Sequence, residues 1–287
     1  MKTSTEINSS SRILGEERAV EYIAKAGFDA WDFSMFSMFE YSWSTKTVFK
    51  ANHPFFDRNY LAFARRLKQI GMDNGIVCNQ SHAPFPCSCM EIRSYYKRAI
   101  ECTSEAGGKI CVIHPDSDIS PEENAIMYLE LMDFACDCGV MIATENMWSW
   151  NKDTDRADLA ACSTPDAFLK QLNAVNHRNF VACLDIGHAE MMGDYTNAVQ
   201  MIEALGSHIQ ALHIHDNDKW RDRHQIPFSM NIDFPSVVKA LKGIGYKGYL
   251  TLEADSFLGD YTEENIFDGI KKLAQSAKRL ADIYDEI

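Results

Sequence analysis

The sequence of 287 residues predicts an α/β protein that closes into a single (β/α)8 barrel, and three observations support this fold class. Helical periodicity alternates with short apolar runs along the chain, which is typical of βα units around a parallel sheet. Nearly every predicted strand ends in a residue that could bind a metal, and a barrel brings all strand ends to one face. An open nucleotide-binding sheet is disfavoured because no glycine-rich phosphate loop follows any strand.

The predicted strands are short apolar runs without the polar alternation of a half-exposed sheet, so we expect them to be buried on both faces. A first strand is placed within residues 1–7, and the others cover residues 29–33, 75–79, 109–113, 140–144, 180–184, 209–214 and 248–252. Helical periodicity covers residues 15–26, 56–70, 91–107, 121–139, 165–176, 195–205, 234–245 and 264–284. Together these segments make the βα units that a barrel requires.

Residues that begin or end helices stand at several of the predicted junctions. Ser120 and Thr164 each precede a proline, as an N-cap residue precedes a proline in the first turn of a helix. Some glycines fall where the periodicity ends and are predicted to terminate helices, namely Gly27, Gly71, Gly139 and Gly245. No linker or change of composition interrupts the pattern, so residues 1–287 are predicted to form one domain.

The overall composition is that of a globular protein with an excess of acidic residues. The chain is 46% hydrophobic and 24% charged, and its formal net charge is −13 at pH 7. Such a protein rarely offers the broad basic surface that nucleic acid binding requires, so no nucleic acid partner is expected. No apolar run approaches the ~20 residues of a membrane helix, and none follows Lys2 as in a secretory leader. A cytoplasmic location without membrane contact is therefore expected.

The nine cysteines indicate reduced thiols and not a metal or disulfide framework. The two closest pairs, Cys87 with Cys89 and Cys136 with Cys138, have C-x-C spacing, and no C-x-x-C pair occurs. A zinc ribbon or a thioredoxin-like site would need the second spacing. We therefore predict that the cysteines serve as small apolar residues in a reducing compartment.

Carboxylates and a histidine that directly follow predicted strands indicate a divalent metal. A carboxylate after an apolar strand is costly to bury unless it is paired, protonated or bound to a cation. The candidate ligands would meet at the carboxyl face of the barrel, and they are Glu145, Asp185, His213 and Glu253. Mixed oxygen and imidazole donors favour Mn²⁺ or Zn²⁺, with Co²⁺, Fe²⁺ or Mg²⁺ as alternatives.

Short motifs at the ends of the last strands extend this pattern: Glu145-Asn146, Asp185-x-x-His188, His213-x-x-Asp216 and Gly245-Tyr246-x-Gly248-Tyr249-x-x-x-Glu253. With these motifs the chain, from about Gly15 to the C-terminus, resembles the xylose isomerase-like TIM barrel superfamily. That superfamily includes ketose 3-epimerases, hydroxypyruvate and inosose isomerases or dehydratases, and the abasic-site nuclease endonuclease IV. The motifs are specific for the superfamily and not for one reaction.

The resemblance implies a metal-dependent sugar or sugar-phosphate isomerase or epimerase. It places the metal ligands on the four residues named above and makes Glu145 and Glu253 the acid/base pair that exchanges a ketose proton. His188 would hydrogen-bond a substrate oxygen beside the metal. The metal would chelate the ketose carbonyl and its neighbouring hydroxyl and stabilise an enediolate. An inosose dehydratase-like lyase, which shares this intermediate, is an alternative.

Endonuclease IV is the main alternative, because it binds three zinc ions and each of its ligands has a match here. The matching residues are His82, His114, Glu145, Asp185, His188, His213, Asp222, His224 and Glu253. Three departures argue against the nuclease: Phe85 replaces a tyrosine, QIPFSM at 225–230 replaces a Leu-Gly-Glu-Gly run, and residues 146–150 are bulky and aromatic. The resemblance therefore favours the sugar enzyme, and the remaining histidines and Asp222 are candidate ligands of additional metals.

Further side chains are predicted to bind the substrate, a small sugar or sugar phosphate. Lys219 lies six residues after His213, where some epimerases hold substrate oxygens with an arginine, and Arg223 follows in the same loop. Trp148 is predicted to form a wall of a closed sugar pocket. Related isomerases keep histidines at positions such as His82 and His114, which we also assign to the substrate. Family members are often dimers or tetramers, so a homo-oligomer is compatible with the sequence.

Overall fold

The structure, a computed structural model, describes residues 1–36 and 38–287 and contains the predicted (β/α)8 barrel. Over these residues the strands are β1 (Lys2–Glu6), β2 (Ala30–Ser34), β3 (Glu40–Ser42), β4 (Thr47–Lys50), β5 (Val77–His82), β6 (Ile110–Val112), β7 (Met141–Glu145), β8 (Ser149–Asn151), β9 (Arg156–Asp158), β10 (Phe180–Asp185), β11 (Ile209–His213) and β12 (Tyr249–Leu252). The α-helices are α1 (Asn8–Leu14), α2 (Glu16–Ala26), α3 (Tyr60–Asp73), α4 (Met90–Arg93), α5 (Tyr96–Ala106), α6 (Pro121–Asp137), α7 (Pro165–Val175), α8 (Ile186–Glu190), α9 (Ala198–Leu205), α10 (Phe234–Gly243) and α11 (Ile266–Glu286).

Eight strands form one sheet in the order β11-β10-β7-β6-β5-β2-β1-β12, and all neighbours in it pair in parallel. Between β11 and β12, the described residues form a single bridge, from Ile214 to Leu252. Its hydrogen bonds run from Ile214 N to the Thr251 carbonyl oxygen (2.9 Å) and from Glu253 N to the Ile214 carbonyl oxygen (3.0 Å). The barrel therefore closes through a narrow seam beside His213 and Glu253.

The helix boundaries confirm most of the predicted junctions. Ser120 Oγ and Thr164 Oγ1 accept hydrogen bonds from the backbone N–H groups three residues further on, as predicted for N-caps. Gly27, with φ of +103°, ends α2 in the left-handed conformation. The helix predicted over residues 91–107 is divided into α4 and α5, which are separated at Ser94 and Tyr95.

The prediction that Gly71 ends a helix is wrong, because α3 continues to Asp73. A Cβ atom on Gly71 would lie 3.1 Å from the Ile76 carbonyl oxygen and 3.1 Å from Trp31 Nε1. The glycine thus allows α3 to lie close to β2 and to the start of β5. The chain turns from α3 into β5 at Gly75, whose φ of +78° suits a residue without a side chain.

Two antiparallel hairpins, β3–β4 after β2 and β8–β9 after β7, interrupt the βα pattern and were not predicted. The β8–β9 hairpin packs against the loop that follows β11. Trp220 Nε1 donates a hydrogen bond to the Asp155 carbonyl oxygen at 2.6 Å, and Arg221 Nη2 lies 2.9 Å from the Asp155 carboxylate. The Arg221 guanidinium also lies 4.2 Å from the centre of the Trp150 ring. These contacts hold residues 218–224 over the carboxyl face of the barrel.

Apolar side chains fill the part of the barrel interior that β6, β7, β10 and β11 enclose below the strand ends. They form a buried cluster of Ile110, Val112, Ala143, Val181, Cys183 and Ala211. The alternate residues of the same strands belong to a larger cluster between the sheet and the helices. All nine cysteines are free thiols and seven of them are buried, which agrees with an apolar role. Within the described part of the chain, no helix is both long enough and apolar enough to cross a membrane.

Candidate metal centre and active-site cavity

The strand alternation that fills the barrel interior also directs the predicted ligands into it. Residues two positions apart on a strand face the same side of the sheet. Glu145 follows the interior residue Ala143 by two positions, Asp185 follows Cys183 in the same way, and the same holds for His213 on β11. The small side chains below leave room for a polar layer at the strand ends.

Four predicted ligands from four strand ends converge in this layer. The ligand atoms of Glu145, Asp185, His213 and Glu253 all lie within 4.8 Å of one another. The four side chains are buried, and Glu253 is the most exposed of them at 6%. His213 Nδ1 lies 3.2 Å from Glu145 Oε2 and 3.5 Å from Glu253 Oε2. We call these four residues the central group.

A second group shares Glu145 with the central group and includes His82 and His114. The Nε2 atoms of the two histidines are 2.9 Å apart, and His114 Nε2 lies 3.2 Å from Glu145 Oε2. His82 Nδ1 lies 2.8 Å from the Ala83 carbonyl oxygen and donates to it, which directs Nε2 towards the other two side chains. The predicted additional ligands His82 and His114 therefore lie together beside the central group.

A third group, next to Asp185 of the central group, contains His188, His215, Asp222 and His224. Asp222 Oδ2 lies 3.0 Å from His224 Nε2 and 3.5 Å from His188 Nε2. The His215 ring stacks on that of His224 at 3.9 Å, and a Cβ atom on Gly187 would overlap the His215 ring. His224 has a φ of +41°, a backbone conformation that is uncommon outside glycine and concentrated at functional sites.

The buried polar atoms of these groups are those that a cation would satisfy. Among the described residues, no hydrogen-bond partner is found for Glu145 Oε2, Asp185 Oδ2, Asp222 Oδ1 or either ring nitrogen of His213 and His215. Each buried polar atom without a partner costs about 1–3 kcal/mol. A divalent cation would satisfy several of these atoms at once. The side chains present therefore fit a metal, and the donor chemistry is that of Mn²⁺ or Zn²⁺.

The two glutamates of the central group experience opposite electrostatic effects. Burial disfavours the charge on Glu145, yet His213 and His114 lower its pKa well below the usual range of a carboxyl group. Burial raises the pKa of Glu253 well above that range, and the carboxylate of Glu145 adds to this effect against the attraction of His213. Two adjacent carboxyl groups in unlike environments are typical of acid/base pairs.

Hydrogen bonds through Asn146 join the ends of β7 and β10. The Asn146 side chain donates to the Asp185 carbonyl oxygen at 2.9 Å and accepts from the Asp185 N–H group at 2.8 Å. The Asn146 carbonyl oxygen accepts a hydrogen bond from His188 Nδ1 at 2.9 Å, which directs Nε2 towards Asp222. The motifs Glu145-Asn146 and Asp185-x-x-His188 therefore form one hydrogen-bonded unit.

Two residues of the site, Asp32 and His215, were not assigned a role from the sequence. Asp32 is fully buried on β2, and its Oδ2 atom lies 3.6 Å from His213 Nε2 while accepting a hydrogen bond from Gln80 Nε2 at 2.9 Å. It thus orients the imidazole from the side opposite Glu145. A charged residue inside an apolar strand was the available signal for Asp32. The available signal for His215 was its position two residues after His213, which directs both side chains to the same side of the sheet.

A cavity of about 260 Å³ opens onto the three groups. Glu145 and Glu253 line it, and its walls are formed by Phe36, Phe85, Met147 and Trp148. Trp148 Nε1 donates a hydrogen bond to Asp222 Oδ2 at 3.2 Å, which anchors this wall to the third group. We call this space the reaction cavity.

The side chains predicted to bind substrate fall into two sets. His82, His114, His188 and Trp148 all line the reaction cavity. Lys219 and Arg223 lie outside its described lining: Lys219 Nζ is 2.8 Å from the Glu190 carboxylate, and Arg223 Nε is 2.9 Å from the Asp218 carboxylate. A role for these two basic residues in substrate binding stays a prediction.

Glu6, at the end of β1, gives a stability prediction that does not depend on a metal. Its side chain is 3% exposed and hydrogen-bonds Ser9, while burial and then the charge of Asp255 raise its pKa from 4.5 to about 7. The folded chain therefore holds this proton more tightly than the unfolded chain does. The resulting stabilisation is complete below pH 4.5 and is lost as the pH rises through about 7.

Unfolding in urea, measured with chelator at pH 5 and pH 8, tests this linkage. A raised pKa of this size corresponds to about 3 kcal/mol in the free energy of unfolding. Compared with the parent protein, Glu6→Gln is therefore expected to be more stable at pH 8 by up to that amount, and to differ much less at pH 5. Glu264→Gln, at an exposed position, serves as the control and is expected to leave the pH dependence unchanged. Equal pH dependence in Glu6→Gln and the parent protein would contradict the assignment.

Comparisons with solved structures agree with this architecture. A D-tagatose 3-epimerase-like protein superposes with a TM-score of 0.73 at 23% identity, over 100% of this chain and 99% of that chain. An L-ribulose 3-epimerase gives 0.69 at 18% identity, over 100% and 95%. A D-allulose 3-epimerase from Methylomonas sp., in complex with D-allulose, gives 0.70 at 15% identity, over 98% and 96%. At these identities the likeness shows the fold.

Sequence comparisons show the family. The uncharacterized protein MJ1311 of Methanocaldococcus jannaschii is 28% identical over 274 residues, covering 88% of this chain and 80% of that protein. The family model described as "Xylose isomerase-like TIM barrel" matches residues 20–282, a range that includes β2 to β12 and every residue of the three ligand groups. The chain therefore belongs to the xylose isomerase-like TIM barrel family.

Proposed function

We propose that this chain is a metal-dependent isomerase or epimerase of sugars that moves a proton at the carbon next to a ketose carbonyl group. One observation carries the proposal: the buried carboxyl groups of Glu145 and Glu253 belong to one ligand group and line one cavity. Two carboxyl groups at one substrate carbon are what removal and return of a proton require. The fold neighbours named as tagatose-like, ribulose and allulose 3-epimerases support the same class of substrate.

The central group would hold the metal that this reaction needs. Its mixed carboxylate and imidazole donors suit Mn²⁺ or Zn²⁺. When bound there, the ion would act as a Lewis acid that polarises the ketose carbonyl group and makes the adjacent C–H bond more acidic. Asp32 would keep His213 in the orientation that this role requires.

The two glutamates would transfer the proton. One removes the proton from the carbon and leaves the bonding electron pair in an enediolate, and the other returns a proton to the opposite face. The two groups titrate as a pair because they lie so close together. His188 would hold a substrate oxygen through Nε2, since its Nδ1 atom is committed to the Asn146 carbonyl oxygen. The aromatic walls Phe36 and Trp148 would limit the access of water.

Deuterium exchange tests the proposal. Protein loaded with Mn²⁺ or Zn²⁺ is incubated in D2O with a panel of ketoses and ketose phosphates and followed by proton NMR. We expect deuterium to appear at a carbon next to the carbonyl group of at least one sugar. Loss of water from an exchanged sugar would indicate a dehydratase-like lyase. The absence of exchange with the whole panel would refute the proposal.

The third ligand group favours a second candidate, an abasic-site phosphodiesterase that uses three metals. His188, Asp222 and His224 lie together as its third site would require, next to the two groups that contain Glu145. Metal analysis and incubation with an oligonucleotide duplex that contains one abasic site separate the two candidates. Three metals per chain together with strand cleavage, and no exchange of any ketose, would replace the first proposal by the second.

A further inference from the structure

We propose that a second cavity beside the reaction cavity binds another sugar ring, so that the substrate is an uncharged glycoside that carries a ketose unit. This inference rests on the proposed function in one respect, namely that a ketose unit occupies the reaction cavity. The cavity has a volume of about 270 Å³ and lies between the β3–β4 hairpin, the segment after β5 and the loop after β6. We call it the distal cavity, and among its described lining residues only His114 belongs to a ligand group.

The two cavities are adjacent. Phe85, His114 and Met147 line both of them and form the boundary between them. The Phe85 ring stacks on His114 at 4.8 Å with an angle of 24° between the planes. A molecule that places its reacting carbon at Glu145 and extends past His114 would therefore reach the distal cavity.

The volumes favour a substrate with two rings. The reaction cavity of about 260 Å³ lies below the range of about 300–1,000 Å³ that is typical of pockets for organic ligands, and the distal cavity of about 270 Å³ does as well. Taken as one space, the two cavities lie within that range. One ring in each cavity would use the whole space, whereas a free hexose would leave the distal cavity to water.

The lining of the distal cavity combines aromatic faces with hydrogen-bond acceptors, which suits a sugar ring. Trp43, the largest apolar side chain of the lining, is 68% exposed and so leaves its ring open to a ligand. Phe85 also belongs to the lining. Aromatic faces are electron-rich and attract the weakly positive C–H groups of a sugar ring. Asp116 and Asp118 supply carboxylates for hydroxyl groups, and neither has an ion-pair partner among the described residues.

The charge of the distal cavity argues against a phosphate group in it. Over residues 1–36 and 38–287, no lysine or arginine lines either cavity, whereas carboxylates line both. The basic residues of the neighbouring loop are paired elsewhere: Lys219 with Glu190, Arg221 with Asp155, and Arg223 with Asp218. A phosphate in the distal cavity would approach the carboxylates of Asp116 and Asp118 without a lysine or arginine in the described lining to hold it, so we assign this cavity to an uncharged ring.

Kinetics with matched substrates test the proposal. We compare fructose, its 6-phosphate and the ketose disaccharides isomaltulose and lactulose in the metal-loaded protein, using deuterium exchange as the assay. At least one disaccharide is expected to exceed fructose in kcat/KM by about tenfold, the equivalent of about 1.4 kcal/mol. Trp43→Ala and Asp118→Ala are expected to remove that advantage while leaving kcat/KM for fructose within about twofold.

The control is Phe49→Ala, which removes another exposed aromatic side chain from the same hairpin but outside the described cavity lining. It is expected to leave all the rates unchanged. The proposal would be overturned if Trp43→Ala lowered kcat/KM for fructose and for the disaccharide by the same factor. A higher kcat/KM for fructose 6-phosphate than for the disaccharides would overturn it as well.

A binding measurement separates this proposal from that of the proton transfer. If no ketose exchanges, the proposed function fails, and the distal cavity is then judged by saturation-transfer NMR with isomaltulose and maltose. Saturation transfer to the sugar that is lost in Trp43→Ala and kept in Phe49→Ala would support the carbohydrate site. Contacts that are absent, or equal in the two variants, would refute it.

Discussion

Replacing either Glu145 or Glu253 by glutamine is expected to reduce the rate of deuterium exchange about 10³-fold, in the middle of the range that general acid–base groups contribute. Glutamine keeps the shape of the side chain but can neither accept nor return the proton. Both residues also belong to the central ligand group, so weaker metal binding would add to the loss. Exchange rates are therefore measured at saturating metal, with the bound metal quantified in each variant.

Asp255→Asn provides the matched control for these two variants. Asp255 lines the same cavity but belongs to none of the ligand groups. We expect its replacement to change the exchange rate by less than about tenfold, because it has no role in the proton transfer. An effect as large as that of Glu253→Gln would mean that the negative charge of the cavity, and not a specific proton transfer, supports the reaction. Full activity in Glu145→Gln would contradict its assignment.

Removing divalent metal with a chelator is expected to lower Tm by about 10 °C and to abolish exchange. A ligand that binds only the folded chain, at about a thousand times its Kd, stabilises it by about 4 kcal/mol. Each kcal/mol raises Tm by about 2–4 °C in a domain of about 200 residues. The physical reason is that Glu145, Asp185 and His213 hold buried polar atoms for which no hydrogen-bond partner is found among the described residues.

Thermal unfolding during titration with Mn²⁺, Zn²⁺ and Mg²⁺ measures this effect. Mn²⁺ or Zn²⁺ is expected to stabilise the protein more than Mg²⁺, which prefers ligands made only of oxygen. His213→Ala should lose the response, and His208→Ala, at an exposed histidine outside the ligand groups, should keep it. An identical Tm with and without metal would show that the central group holds no ion.

The fold follows from the sequence wherever a local pattern and the final packing agree. Strands such as β6, β7 and β10 are apolar runs that are recognisable locally, whereas β1 (KTSTE) and the end of β5 are polar although they are largely buried in the barrel. Gly71 shows the limit of local reasoning: it resembles a helix terminator, yet its lack of a Cβ atom serves the approach of α3 to Trp31. The β8–β9 hairpin depends on Trp220 and Arg221, about sixty residues away along the chain, and no pattern in residues 149–158 discloses such contacts.

The candidate site could be predicted to the extent that it depends on strand ends. The position of Glu145 after an apolar strand is sufficient to place it at the carboxyl face, and the structure brings the central group together there. Asp32 could not be assigned in this way, since its contact with His213 depends on which strands oppose each other across the barrel. The pairing of Lys219 with Glu190 depends on the fold of two loops and left no trace in the sequence.

The seam between β11 and β12 affects how this protein can evolve. Buried catalytic carboxylates usually reduce the stability of a fold, so selection for activity and selection for stability act against each other. Here His213 and Glu253 flank the bridge between Ile214 and Leu252 through which the barrel closes. A cation shared by them would join the two strands where their own pairing is shortest. Loss of either residue would then reduce both activity and stability. The cavity walls and loops, in contrast, could change under selection for new substrates.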